Sequence, residues 1–104
     1  MNKYGLHGSL KAKLGKGQEL SSILVEASKI VSQAKGCISY VVGLDTKDKD
    51  LIWVSEIWES KEDHDASLTQ ENVRTLIGKA MPLLAEMPTE GNEYSVISET
   101  LLTR

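Results

Sequence analysis

The chain has 104 residues, of which 40% are hydrophobic and 26% charged, with a formal net charge of −3. This is the make-up of one globular domain over residues 1–104, not of a disordered segment, and the domain is small for a sheet covered on both faces. Slight acidity without a Lys/Arg stripe excludes nucleic acid and anionic membrane as partners, because both demand a basic footprint, and Cys37 alone excludes an intramolecular disulfide.

Several expectations of setting follow. A lone cysteine fits a reduced, cytoplasmic compartment. The first seventeen residues lack the apolar run of a signal peptide, and no stretch approaches the roughly 20 apolar residues of a membrane span. Two isolated histidines, His7 and His64, with one cysteine offer no metal-ligand spacing, so no metal site is expected.

From Tyr4 to Leu14 apolar residues fall at Tyr4, Leu6, Leu10, Ala12 and Leu14, the two-residue period of a strand. Gly15, Lys16 and Gly17 break it. Leu20, Ile23, Leu24, Ala27, Ile30, Val31 and Ala34 then follow at helical spacing, and Gly36 suits the left-handed residue after a helix. Cys37 to Leu44 and Leu51 to Trp58 are two strands of a hairpin, joined by a polar stretch from Asp45 to Asp50 that reads as a solvated turn. Ser60 with Asp63 three residues on reads as a capping box, so a second helix begins near Lys61. Its pattern continues in a second piece through Val73, Leu76, Ile77, Ala80 and Leu84, where Pro82 forces a kink or an early end. After a loop at 88–91, alternation returns from Tyr94 to Leu102. The order β-α-β-β-α-β predicts a ferredoxin-like α+β fold, four antiparallel strands with two helices on one face.

The strand from Leu51 to Trp58 has no polar face: Ile52, Val54, Glu56 and Trp58 alternate with Leu51, Trp53, Ser55 and Ile57. An antiparallel sheet wet on one side alternates more cleanly. The pattern therefore predicts a sheet covered twice, by helices on one side and by an identical subunit on the other.

Chemistry-bearing residues concentrate after this strand. Trp58 ends it and His64 lies on the first helical turns, so an indole and a titratable imidazole can meet over one cleft. Each has a structural reading beside the functional one: Trp58 as core packing, His64 as an exposed first-turn residue. Tyr40 either reaches the pocket with its hydroxyl or packs at the subunit face, and Asn72 either lines the pocket mouth or caps the second helical piece. Glu56 shares strand parity with Trp58 and is read first as an interface ion pair and second as a buried carboxylate beside the ring. His7 is read as a surface or interface residue and Cys37 as buried filler.

The Leu14-Gly15-Lys16-Gly17 turn, Gly36-Cys37 and Trp58-Glu59-Ser60 resemble the antibiotic biosynthesis monooxygenase family of dimeric α+β-barrel proteins, over about residues 4–96. Members that oxidise aromatic polyketides carry an Asn four residues before the family Trp and a Tyr six residues after it; this chain has Val54 and His64 there. A helper Arg of the family falls near Gly78. The run from Ser60 to Leu68 is similar to a quinol monooxygenase subgroup. The resemblance implies a homodimer without cofactor that oxidises a small electron-rich aromatic with O₂. In it Trp58 is the wall, His64 the base, and Tyr40, Val54 and Asn72 contact substrate. Two alternatives share the scaffold. One is a non-enzymatic small-molecule-binding or stress-response dimer; the other is a haem-degrading monooxygenase, whose iron-ligating His would fall where this chain has Ser67 and Leu68.

Overall fold

The first strand, β1, spans Lys3–Lys11, and its even-numbered side chains face the helices. The computed structural model describes residues 2–88 and 91–100. After β1 come α1 (Gly17–Val31), β2 (Cys37–Leu44), β3 (Leu51–Trp58), α2 (Lys61–Ser67), α3 (Glu71–Ala80), a single 3₁₀ turn (Met81–Leu83) and β4 (Asn92–Val96). All pairings are antiparallel, and the strand order is β2-β3-β1-β4. That order is the expected ferredoxin-like sheet. Among the described residues no helix is long and apolar enough to cross a membrane.

Local chemistry sets the boundaries. The Ser60 side chain accepts the Asp63 amide at 3.1 Å and starts α2 at Lys61. The reciprocal half of the expected capping box is absent among the described residues. The Asp63 carboxylate lies instead against Gly36, whose φ of +84° and missing Cβ leave it room. Gly36 is left-handed as expected, although α1 has already stopped at Val31, and a turn carrying Ala34 intervenes. Pro82 sits in the 3₁₀ turn, where the interrupted ladder tightens.

Two expectations need correction. The strand predicted from Tyr94 to Leu102 begins at Asn92 and ends at Val96; Leu101 and Leu102 lie outside the described residues. The stretch from Asp45 to Asp50 is more than a solvated turn. Asp45 Oδ2 accepts the amides of Lys47 and Asp48, and Asp50 reaches across to accept the amides of Gly15 and Gly17 at 3.1 and 2.9 Å. Asp50 thus caps α1, because Lys16 at the cap position makes no side-chain bond of its own. Gly17 permits this approach, since a Cβ there would lie 2.0 Å from the Lys49 carbonyl oxygen.

The apolar side chains between sheet and helices form two clusters. One joins Ala12, Leu20, Ile52, Ala80 and Leu84; the other joins Val31, Trp58 and Val73, with Tyr4, Cys37 and Tyr40 packed against it. An irregularity between Cys37 and Ser39 shifts the β2–β3 register by one, so both Cys37 and Tyr40 reach the helix side. The middle of the sheet, around Leu6, Gly8, Val54 and Glu56, falls between the two clusters.

The cap yields a direct test. Asp50→Ala should cost about 1 kcal/mol, lowering the melting temperature by about 4–8 °C, while Lys47→Ala should stay within about 0.5 kcal/mol of the parent. Thermal unfolding followed by circular dichroism reads both; equal melting temperatures would contradict the capping role.

Candidate functional site

β3 carries the centre of the site, because its even positions point under the helices. Cross-strand pairing sets Glu56 between Tyr40 of β2 and Leu6 of β1, and Trp58 between Cys37 and Tyr4. Glu56, Tyr40, Val54, Leu6, Leu10 and Leu24 line a pocket of about 150 Å³ in the gap between the two apolar clusters. This is roughly the size of an engineered protein cavity that accepts benzene.

Glu56 is the unusual member. Its side chain is 12% exposed, and its Oε1 accepts the indole N–H of Trp58 at 3.0 Å. Burial raises its pKa above the ordinary carboxylate value, opposed by the Trp58 hydrogen bond and by His64. The Tyr40 hydroxyl is also held protonated to higher pH, chiefly by burial and then by the Glu56 charge. Among the described residues neither the Tyr40 hydroxyl nor Glu56 Oε2 has a hydrogen-bond partner. The pocket therefore sets the Glu56 carboxyl and the Tyr40 hydroxyl beside Leu6, Leu10, Leu24 and Val54, with Ser9 also on its lining. Such a pair can accept a hydrogen bond at Glu56 and donate one from Tyr40.

His64 stands behind the carboxylate. The α2 cap brings its ring edge-on to Trp58 at 5.7 Å between centroids and tilted at 49° to Tyr4 at 5.5 Å, and it is 12% exposed. Nδ1 lies 2.9 Å from Asp65 Oδ1, and Nε2 lies 3.8 Å from Glu56 Oε1. With Asp65 accepting at Nδ1, a neutral ring turns an unprotonated Nε2 toward Glu56. The distance of 3.8 Å is too long for a direct hydrogen bond, so proton exchange needs a bridging water or a small swing of Glu56. The His64 contact in turn holds the Asp65 carboxyl low. On the other side of His64 the Tyr4 hydroxyl donates to Glu93 at 2.8 Å.

The residues singled out in the sequence separate into three groups. Tyr40 and Val54 line the pocket, and Trp58 and His64 meet as expected. Trp58, however, is fully buried with Val31 and Val73 and stands behind Glu56, holding the carboxylate through its N–H. Asn72 lies elsewhere. It sits in the first turn of α3, where its Oδ1 accepts the Val73 amide, beside a surface depression shared with Lys29 and Gln33. Gln70, not Asn72, holds the cap position.

Of the two readings of Glu56 the interface ion pair is corrected: the carboxylate lies on the helix side, beside the Trp58 ring and on the pocket lining. Its shared parity with Trp58 was the available signal. His7 occupies the opposite face, stacked on Trp53 at 5.2 Å with Nδ1 2.7 Å from Ser55 Oγ. The two histidines are thus divided by the sheet. Among the described residues no group of three or more His, Cys, Asp or Glu side chains converges as a metal site.

A four-stranded antiparallel sheet in the order β2-β3-β1-β4 with helices packed on one face defines the ferredoxin-like class of α+β proteins. The sequence profile of the antibiotic biosynthesis monooxygenase family matches residues 4–79, and the chain belongs to that family. A candidate antibiotic biosynthesis monooxygenase of Chloroflexus aurantiacus J-10-fl shares 39% identity over 97% of this chain and 99% of its own, with a TM-score of 0.85. Counterparts from Nitrosomonas europaea and Caulobacter crescentus CB15 are only 14% and 15% identical, but superpose with TM-scores of 0.88 and 0.82. They cover 95% and 93% of this chain and 94% and 92% of their own. These distant ones show the fold. Among curated proteins none matches the chain.

The raised pKa of Glu56 sets a sign for stability. Below the unfolded value, about 4.3, Glu56 is protonated in both states and carries no penalty. As pH rises, the unfolded chain ionises first, so stability falls until pH passes the folded pKa. Glu56→Gln should therefore melt higher than the parent at pH 7, with the gap closing near pH 4. A Gln variant less stable at pH 7 would contradict the burial argument.

Proposed function

We propose that the protein is a cofactor-independent monooxygenase that oxidises a quinol or related electron-rich hydroxyaromatic with O₂. The observation that carries this reading is the buried Glu56 carboxylate, which faces an aliphatic pocket beside the unpartnered Tyr40 hydroxyl. A quinol ring fits a pocket of that size, with one hydroxyl on Glu56 and an oxygen accepting from Tyr40.

Ground-state O₂ is a triplet and reacts slowly with neutral closed-shell organics, whereas a phenolate passes it one electron readily. The work of the site is then to remove a proton and keep water out. An isolated phenol titrates near 10, so a carboxylate of raised basicity and a hydrogen-bond donor on the developing anion both lower the cost. Glu56 receives the hydroxyl proton. His64, whose Nε2 faces Glu56, exchanges it and restores the carboxylate, and Trp58 fixes the carboxylate's orientation. One oxygen atom enters the ring and the other leaves as water, so quinol plus O₂ becomes hydroxyquinone plus water, with all four electrons supplied by the quinol. Val54 contributes only shape.

The reading includes a homodimer in a reducing, cytoplasmic setting. The outer sheet face exposes Val41, Trp53 and Tyr94, and the Tyr94 ring lies over Gly5, where a Cβ would stand 2.3 Å from it. A second copy of the same face is the simplest cover, and a standard interface buries roughly 1,600 Å².

Oxygen consumption with dihydroxybenzenes and dihydroxynaphthalenes tests the activity. The parent should take up O₂ above background, and Glu56→Gln and His64→Ala should each lower kcat by about 10²–10⁴-fold. Saturable binding without product would convert the reading to a binding protein. Variants as fast as the parent would remove both residues from the chemistry. Light scattering on the same samples should give twice the chain mass at micromolar concentration, and the single-chain mass would refute the dimer.

A further inference from the structure

Between α1 and α3 lies a second recess, of about 230 Å³, lined entirely by apolar side chains that include Leu76, Ile77, Ala80 and Met81. It shares Leu10 and Leu24 with the pocket at Glu56. Those two side chains are therefore the partition between the polar-headed pocket and the apolar recess. The first, at about 150 Å³, matches the size of a single ring. Alone, neither reaches the roughly 300–1,000 Å³ of small-molecule sites; joined by a rotamer change at Leu10 or Leu24, they do.

Resting on the monooxygenase reading, we propose that the substrate is an amphipathic one: a hydroxylated ring carrying an aliphatic side chain. The ring sits against Glu56 and Tyr40, and the chain passes Leu24 into the recess between α1 and α3. The recess lining has no polar side chain to satisfy a hydroxyl, amine or carboxylate, so its occupant is hydrocarbon. Only the Leu10 and Leu24 side chains stand between the recess and the pocket, so one ligand spans both once they turn aside. Ile77 and Met81, each more than a third exposed, form the mouth, so a long chain can emerge along an apolar path.

The experiment measures binding and turnover separately, so that failure of the subsite and failure of the oxidation reading are distinguishable. Calorimetry with 4-alkylphenols from methyl to octyl reports binding without oxidation, and oxygen uptake with the matching 2-alkylhydroquinones reports turnover. Affinity should rise by up to about fourfold per methylene until the recess is full. The double variant Ile77→Gln with Met81→Gln should flatten that dependence while oxidising unsubstituted hydroquinone as the parent does; both sites are exposed enough for the chain to fold, which circular dichroism checks. Affinity independent of chain length would overturn the proposal whatever the turnover. A dependence untouched by the double variant would also overturn it, since the chain would then lie elsewhere. Chain-dependent binding flattened by the variant, without O₂ uptake, would uphold the recess and refute the monooxygenase.

Discussion

A carboxylate held beneath helices in the middle of a sheet is costly, and the architecture around Glu56 is organised by that cost. Burial disfavours its charge, and an unpaired buried ion would not survive in a domain of marginal stability. Three features offset the penalty: the Trp58 indole donates to Oε1, His64 stands within ion-pair distance, and the second oxygen opens on a pocket rather than on packed side chains. The Ser60 cap serves the same end, because it starts α2 at the position that swings His64 over Trp58.

The same constraint accounts for the divided core. One apolar cluster packs α1, the 3₁₀ turn and the distal ends of β1 and β3, and the other packs the opposite end around Trp58. The gap between them coincides with Glu56 and with Gly8, which contributes no side chain. A tighter core there would bury the carboxylate without an outlet. Incomplete packing at the centre of the sheet therefore makes the site possible, and the two flanking clusters supply the rigidity that holds Tyr40 and Glu56 in register.

Much of the fold was legible because its signals are local: the alternation of β1, the hairpin, the Ser60 cap and the Pro82 stop each depend on neighbours in sequence. Trp58 and His64 were legible as a pair for the same reason. Three things were not. Both faces of β3 are apolar, so parity ties Glu56 to Trp58 without saying which face the helices cover, and a buried carboxylate beside the ring stood second to an interface ion pair. Asp50 caps a helix that begins 33 positions earlier, a contact that no local pattern encodes. Asn72 carries the residue type of a pocket or cap, but it lies away from the Glu56 pocket and inside the first turn of α3, whose cap position Gln70 already holds. The family resemblance supplied the scaffold and directed attention to position 64, where an imidazole replaces the family tyrosine; the pocket-facing acid emerged only once strand register was known.

The most direct test of this account is the ionisation of Glu56 in the ligand-free protein, followed by carbon NMR of ¹³C-labelled glutamate side chains. The signal is assigned by its loss in Glu56→Gln. The account predicts a titration midpoint clearly above the roughly 4.3 of an unperturbed glutamate. A midpoint at or below that value would show the carboxylate to be well solvated or fully ion-paired, and the proton-accepting pocket would not exist.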